Sequence, residues 1–184
     1  MRPIVPTLLL LVCPAAGLVA QGATFDFYAR GPYRPAVPRP EAITGYAAGE
    51  QHTMYAVIQH YLDTLVATAG DRVRVERWGE TTEHRPIRAL IISDPANLAR
   101  LDQLRAALAE LADPRRPSPA RAAEIAAKDP AGALFQYSVP GDEPAGFEAA
   151  MQVAYQLLAS DEPQTLELLK SVVLVLNPSA NPDG

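Results

Sequence analysis

The run "SVVLVLN" (Ser171–Asn177) carries five consecutive aliphatic residues, from Val172 to Leu176. A strand built this way has no polar face to offer water, so layers must cover it on both sides. "IRALIIS" (Ile87–Ser93) is a second strand of the same kind. Before it, "DRVRVERWG" alternates Val73 and Val75 against Arg72, Arg74 and Glu76, which predicts a half-exposed neighbour paired antiparallel to it. "ALFQYSV" (Ala133–Val139) reads as a fourth, buried strand. Helical stretches separate these strands. "TMYAVIQHYLDTLVATAG" places Met54, Val57, Ile58, Tyr61, Leu62 and Leu65 on one face and ends at Gly70. Asp94 and Pro95 make a capped helix start, followed by Leu98, Leu101, Leu104, Leu108 and Leu111 at spacings of three and four. "ARAAEIAAKD" is an alanine-rich helix, and the helix after the fourth strand turns Phe147, Ala150, Met151, Ala154, Leu157 and Leu158 to one side. A short helix opens at Pro163 and ends near Lys170. Strands alternating with helices predict an α/β fold: a mixed β-sheet with helices on both faces.

Length and charge narrow the function classes. The chain has 184 residues and a net charge of -5, enough for one domain and the wrong sign for a nucleic-acid partner. "MRPIVPTLLLLVCPAAGLVAQGA" has an early positive charge at Arg2, an apolar run and then small residues, the layout of a secretory signal peptide cut after Ala20 or Gly22. Pro6 and Pro14 interrupt the apolar run, so no stable membrane span is expected once the signal is removed. The predicted location is secreted or periplasmic. Cys13 is the only cysteine and lies within that leader, so the mature chain is expected to have no thiol. The organisation read from the chain is a signal peptide over 1–22, an extended Pro- and Tyr-rich arm over 23–45, and a domain over 46–184.

In open α/β sheets, ligands bind beyond the carboxyl ends of the parallel strands. Two turns belong there: Pro140-Gly141-Asp142-Glu143 after one strand, and Asn177 to Gly184 after the last. Any active site is expected between them. Asp142 and Glu143 read in the first instance as helix-start carboxylates facing a helix dipole. Glu148 is expected to face solvent. His52, His60 and His84 have no metal-ligand spacing and read as surface histidines. Trp78 and Tyr155 read as packing residues. No nucleophile elbow, phosphate loop or cofactor fingerprint is present.

Three segments in register resemble the N-terminal half of the zinc carboxypeptidases, the carboxypeptidase A-like metallopeptidases. "VERWGETTEHRPIRALIIS" is similar to the family's two strands joined by an "EGRP" turn, with His84 in place of the glycine. "YSVPGDEPAGFEAAMQVAYQL" is similar to its "HGNEPSG" turn and helix, and "VVLVLNPSANPDG" to its strand ending in "NPDG". The resemblance covers about Gly45 to Gly184. It implies an incomplete three-layer sandwich of the phosphorylase/hydrolase-like kind, and a parent activity of zinc-dependent peptide-bond hydrolysis that releases C-terminal residues. Zinc is the cofactor it implies, and peptides are the substrates.

Carried over residue by residue, the resemblance puts Glu143 on the family's zinc-binding glutamate and Pro140 on its first zinc-binding histidine. Proline has no lone pair for a metal. The later histidine, the carboxylate-binding arginines and the catalytic glutamate all fall beyond Gly184, so no catalytic residue is assigned and no substrate-binding residue can be named. The expectation is a chain that neither holds zinc tightly nor cleaves peptides by itself. The closing "NPDG" turn reads as a truncated frame or gene fragment. A secreted pseudoenzyme that binds peptide or cell-wall termini is the alternative, and an unrelated α/β domain with chance motif matches is a third.

Overall fold

The computed structural model describes residues 26–184. The predicted signal peptide and Cys13 fall outside the described residues. The elements are α1 (Glu41–Thr44), α2 (Tyr55–Thr68), β1 (Val73–Glu80), β2 (Pro86–Ile92), α3 (Pro95–Ala99), α4 (Leu101–Ala112), α5 (Pro119–Lys128), β3 (Ala131–Gln136), α6 (Pro144–Ala159), α7 (Pro163–Ser171) and β4 (Val172–Asn177). The strands form one sheet in the order β1-β2-β4-β3. β1 and β2 are antiparallel, as are β2 and β4, while β3 and β4 run parallel. A sheet without that parallel pairing would have favoured an unrelated α/β domain, and the pairing is present.

The two continuous apolar strands occupy the middle of the sheet, as their composition demands. Because side chains alternate along a strand, each serves two cores. Leu90, Ile92, Leu174 and Leu176 meet α2 and α6 through Ile58, Leu62, Leu65, Met151, Ala154 and Leu158. Ile91 and Val173 face the other way and pack against Leu98 and Leu104 of α3 and α4. Helices therefore cover both faces, and the fold is a mixed α/β sandwich with an open sheet. Asp94 caps α3 by accepting from the Ala96 amide, as the Asp-Pro pair predicts.

Several expectations need correction. β3 is not buried: it lies at a sheet edge, and Leu134 and Phe135 are 58% and 42% exposed. β4 sits between β2 and β3, so among the described residues β3 has a strand on one side only. The arm is not uniformly extended. It contains α1, buries Val37, and bonds across the end of α6 through Arg34 N–H to the Ala159 carbonyl at 2.7 Å. Tyr28 and Tyr33 of the arm pack on Tyr155, which is a packing residue as expected. Trp78 is not one, being 47% exposed, because it sits in a bulge between Arg77 and Gly79 on the edge strand β1. Met54 is exposed because it precedes the first turn of α2 rather than lying on its face. Leu108 is also exposed. Arg72, expected outward, is buried: its guanidinium donates to the Ser160 carbonyl and to Asp161.

Candidate functional site

The turn that follows β3 is held by its own backbone. Ser138 has a φ of 45°, a left-handed conformation that costs a residue with a side chain, and its Oγ donates to the Glu143 carbonyl at 3.0 Å. The Glu143 amide donates to the Pro140 carbonyl at 3.2 Å, which closes the turn, and Pro144 then opens α6. The turn after β4 lies against it: Ala180 N–H donates to the Tyr137 carbonyl and Asn181 N–H to the Ser138 carbonyl. The approach is so close that a Cβ on Gly141 would lie 2.3 Å from the Asn181 carbonyl oxygen, so only glycine fits there. The two turns expected to flank a site are thus in direct contact.

Asp183 fixes the second turn to the β1–β2 hairpin. Its Oδ1 accepts from Thr81 Oγ1 at 2.7 Å and Arg85 Nη1 at 2.6 Å, and its Oδ2 accepts from the Glu83 amide at 3.1 Å. Partial burial would raise the Asp183 carboxyl, but Thr81 and Arg85 outweigh it and hold the group below the usual carboxylate range. The same contact raises Arg85. The hairpin turn needs a positive φ at His84, where φ is 60°. This is the physical reason a glycine suits that position.

Beside these turns lies a cleft of about 380 Å³. One wall is the segment His52–Tyr55; the other is formed by Gly141, Asp142, Pro144 and Phe147, and Asp183 and Arg85 also line it. The Tyr55 hydroxyl donates to the Pro86 carbonyl, and burial pushes its pKa up against the opposing pull of Arg88 and Arg85. Asp142 and Glu143 are both exposed at the N-terminus of α6, and Glu143 makes no side-chain cap bond. His52 lines the cleft, while His60 lies on the outer side of α2 and His84 in the hairpin.

Glu148 departs most from expectation. It is 7% exposed, and its Oε1 accepts from Thr53 N at 3.2 Å and Thr53 Oγ1 at 2.5 Å. Helical spacing carried the signal for this: Glu148 is three residues from Met151 and seven from Tyr155, on the face that packs inward.

The family model for zinc carboxypeptidases matches residues 58–184, well over half the chain. The chain belongs to the zinc carboxypeptidase family. No curated protein matches it. Among solved structures it is similar to carboxypeptidase A from Helicoverpa armigera, with 16% identity and a TM-score of 0.47 over 79% of this chain and 31% of that one. It is also similar to thrombin activatable fibrinolysis inhibitor (TAFI), with 14% identity and a TM-score of 0.47 over 79% of this chain and 30% of that one. The chain thus spans just under a third of the length of these two structures.

A catalytic zinc takes about three protein ligands. Among the described residues, no three His, Cys, Asp or Glu side chains converge to hold one. At the head of the turn, Pro140 has only a saturated ring to offer, with no donor atom. The donor set among the described residues of this zinc carboxypeptidase-family chain therefore does not fit a catalytic zinc.

Proposed function

We propose that this chain is the amino-terminal part of a secreted zinc metallocarboxypeptidase-like protein. The parent chemistry is zinc-dependent release of C-terminal residues from peptides, and this segment by itself is inactive and releases zinc readily. Glu143 is the one side chain that the family pattern assigns to the metal. The observation that carries the reading is Pro140 at the head of the 140–143 turn, where the pattern calls for an imidazole. The leader over residues 1–22 supports secretion. Dialysis followed by metal analysis by mass spectrometry tests the reading. The wild-type chain is expected to retain far less than one zinc per chain, and Pro140→His to bind zinc measurably more tightly. One tightly held zinc per wild-type chain overturns the proposal.

A second reading is favoured by the cleft itself. It keeps apolar walls (Met54, Phe147) beside polar groups (His52, Asp142), a lining suited to a peptide, although the donor set beside it does not fit a metal. On this reading the protein is a peptide-binding pseudoenzyme. Titrating N-acetyl-Ala-Phe into isotope-labelled protein is expected to shift the Gly141, Asp142 and Phe147 amides. Unchanged spectra at millimolar peptide exclude it.

A further inference from the structure

Glu148 is a carboxylate set in a helix face otherwise made of apolar and aromatic side chains. Burial of such a group is costly unless hydrogen bonds compensate it. Here Thr53 supplies both bonds, through its amide and its hydroxyl. Thr53 is itself 3% exposed, and its Oγ1 accepts in turn from the Tyr46 hydroxyl at 2.9 Å. The chain therefore runs Tyr46 to Thr53 to Glu148, with each donor matched to one acceptor.

The neighbours of these two residues give the link its meaning. His52, Met54 and Tyr55 flank Thr53 and form one wall of the cleft, while Pro144 and Phe147 precede Glu148 on α6 and form part of the other. The segment before Tyr55 has no regular structure, and α2 begins at Tyr55 behind an N-cap residue, Met54, that makes no side-chain cap bond. A carboxylate near the start of a helix also meets its partial positive charge. Glu148 thus ties the residue just ahead of the α2 N-cap to α6, bracing one wall of the cleft against the other.

We propose that Glu148 is a positioning residue for the cleft: through Thr53 it holds the His52–Tyr55 wall at a fixed distance from the 140–144 turn. This builds on the reading of the cleft as a peptide site. The wall's place in the fold and the peptide's affinity are separate consequences, and each has its own measurement.

Amide hydrogen exchange and chemical shifts of residues 52–55 read the wall directly, with no ligand present. Glu148→Ala is expected to speed Thr53 exchange about tenfold or more and to shift the amides of residues 52–55. Glu148→Gln, which keeps the reach and an acceptor oxygen, is expected to restore most of that protection. Glu148→Asp, one methylene shorter, is not. N-acetyl-Ala-Phe titration reads the site: affinity should fall about tenfold in Glu148→Ala and about threefold in Glu148→Gln. Ile92→Val, at the far end of β2, serves as a control that lowers overall stability and leaves both readouts unchanged. If Glu148→Ala folds and residues 52–55 keep wild-type exchange and shifts, the positioning role is overturned. If Glu148→Ala does not fold, the Gln and Asp variants decide the question, and equal protection in both overturns it. Failure of the peptide to bind wild-type protein sinks the peptide reading alone, because the exchange arm stands without it.

Discussion

Arg72→Met separates two accounts of how the start of β1 and the end of α6 are joined. The Arg72 guanidinium donates to the Ser160 carbonyl at 2.7 Å and to Asp161 Oδ1 at 2.7 Å, and its 3.5 Å contact with the Leu158 carbonyl is too long to count for much. Methionine keeps the apolar stem and removes the charged donors. Ser160 is fully buried, so its carbonyl would lose its partner with no water to replace it, at about 1–3 kcal/mol. The Asp161 side chain is 43% exposed and keeps Arg34 Nε at 3.1 Å. Its loss, discounted for solvent screening, is about 0.5–1 kcal/mol. Against these stands the cost of burying the guanidinium, which methionine avoids. The expected net destabilisation is about 2 kcal/mol, read as a lower urea midpoint with an unchanged m-value. Asp161→Asn should cost less, because the Ser160 bond survives. A variant as stable as wild type, or more so, refutes the reasoning: Arg72 would then be a buried charge tolerated by the fold rather than a tie that supports it.

Acid should weaken the same tie. Burial works to raise Asp161 and Asp71, but hydrogen bonds from Arg72 and Arg34 to the first, and from Arg34 to the second, hold both below the ordinary aspartate value. A lowered folded pKa means stability fully present above the unfolded value of about 3.9 and lost as pH falls through the folded one. Urea midpoints should therefore be flat from about pH 7 to 5 and drop below about pH 4, with a smaller drop in Arg72→Met; an equal drop in both proteins contradicts the assignment. At Ser138, the left-handed φ predicts that Ser138→Gly outlasts Ser138→Ala in thermal melts by about 1 kcal/mol, the reverse of the ordinary order, since both lose the bond to the Glu143 carbonyl and only glycine relieves the backbone.

What the sequence made legible follows from how local each signal is. The runs Val172–Leu176 and Ile87–Ile92 placed two strands at the centre of a covered sheet, and Asp94-Pro95 placed a helix start, because periodicity and capping act within a few residues. The run around Leu134 and Phe135 has the same apolar character, yet β3 is an edge strand, since strand order depends on pairings far apart in sequence. Arg72 and Glu148 were misplaced for one reason. Charged residues default to solvent, and what keeps them inside is a partner about ninety residues away: Ser160 for Arg72 and Thr53 for Glu148. The contact between the 140–143 and 177–184 turns was foreseeable from topology alone. The cleft's other wall was not, because what ties His52–Tyr55 to α6 is the contact of Thr53 with Glu148, a residue far along the chain.

The family motifs do two kinds of work, and this chain separates them. The Asp183 carboxylate ties the last turn to Thr81, Glu83 and Arg85 in the hairpin. Gly141 allows two backbones to meet where a single Cβ would collide. His84 occupies a left-handed position where glycine would be at ease. None of these residues needs to touch a substrate to be required; each sets where two turns lie relative to one another. A family match carried by such positions reports a shared scaffold. Metal chemistry depends on lone pairs delivered at the right points on that scaffold, and one codon can remove a donor without disturbing a strand. Pro140, where the resemblance expects an imidazole, shows the two roles side by side: its carbonyl accepts the Glu143 amide that closes the turn, while its ring offers nothing to a cation.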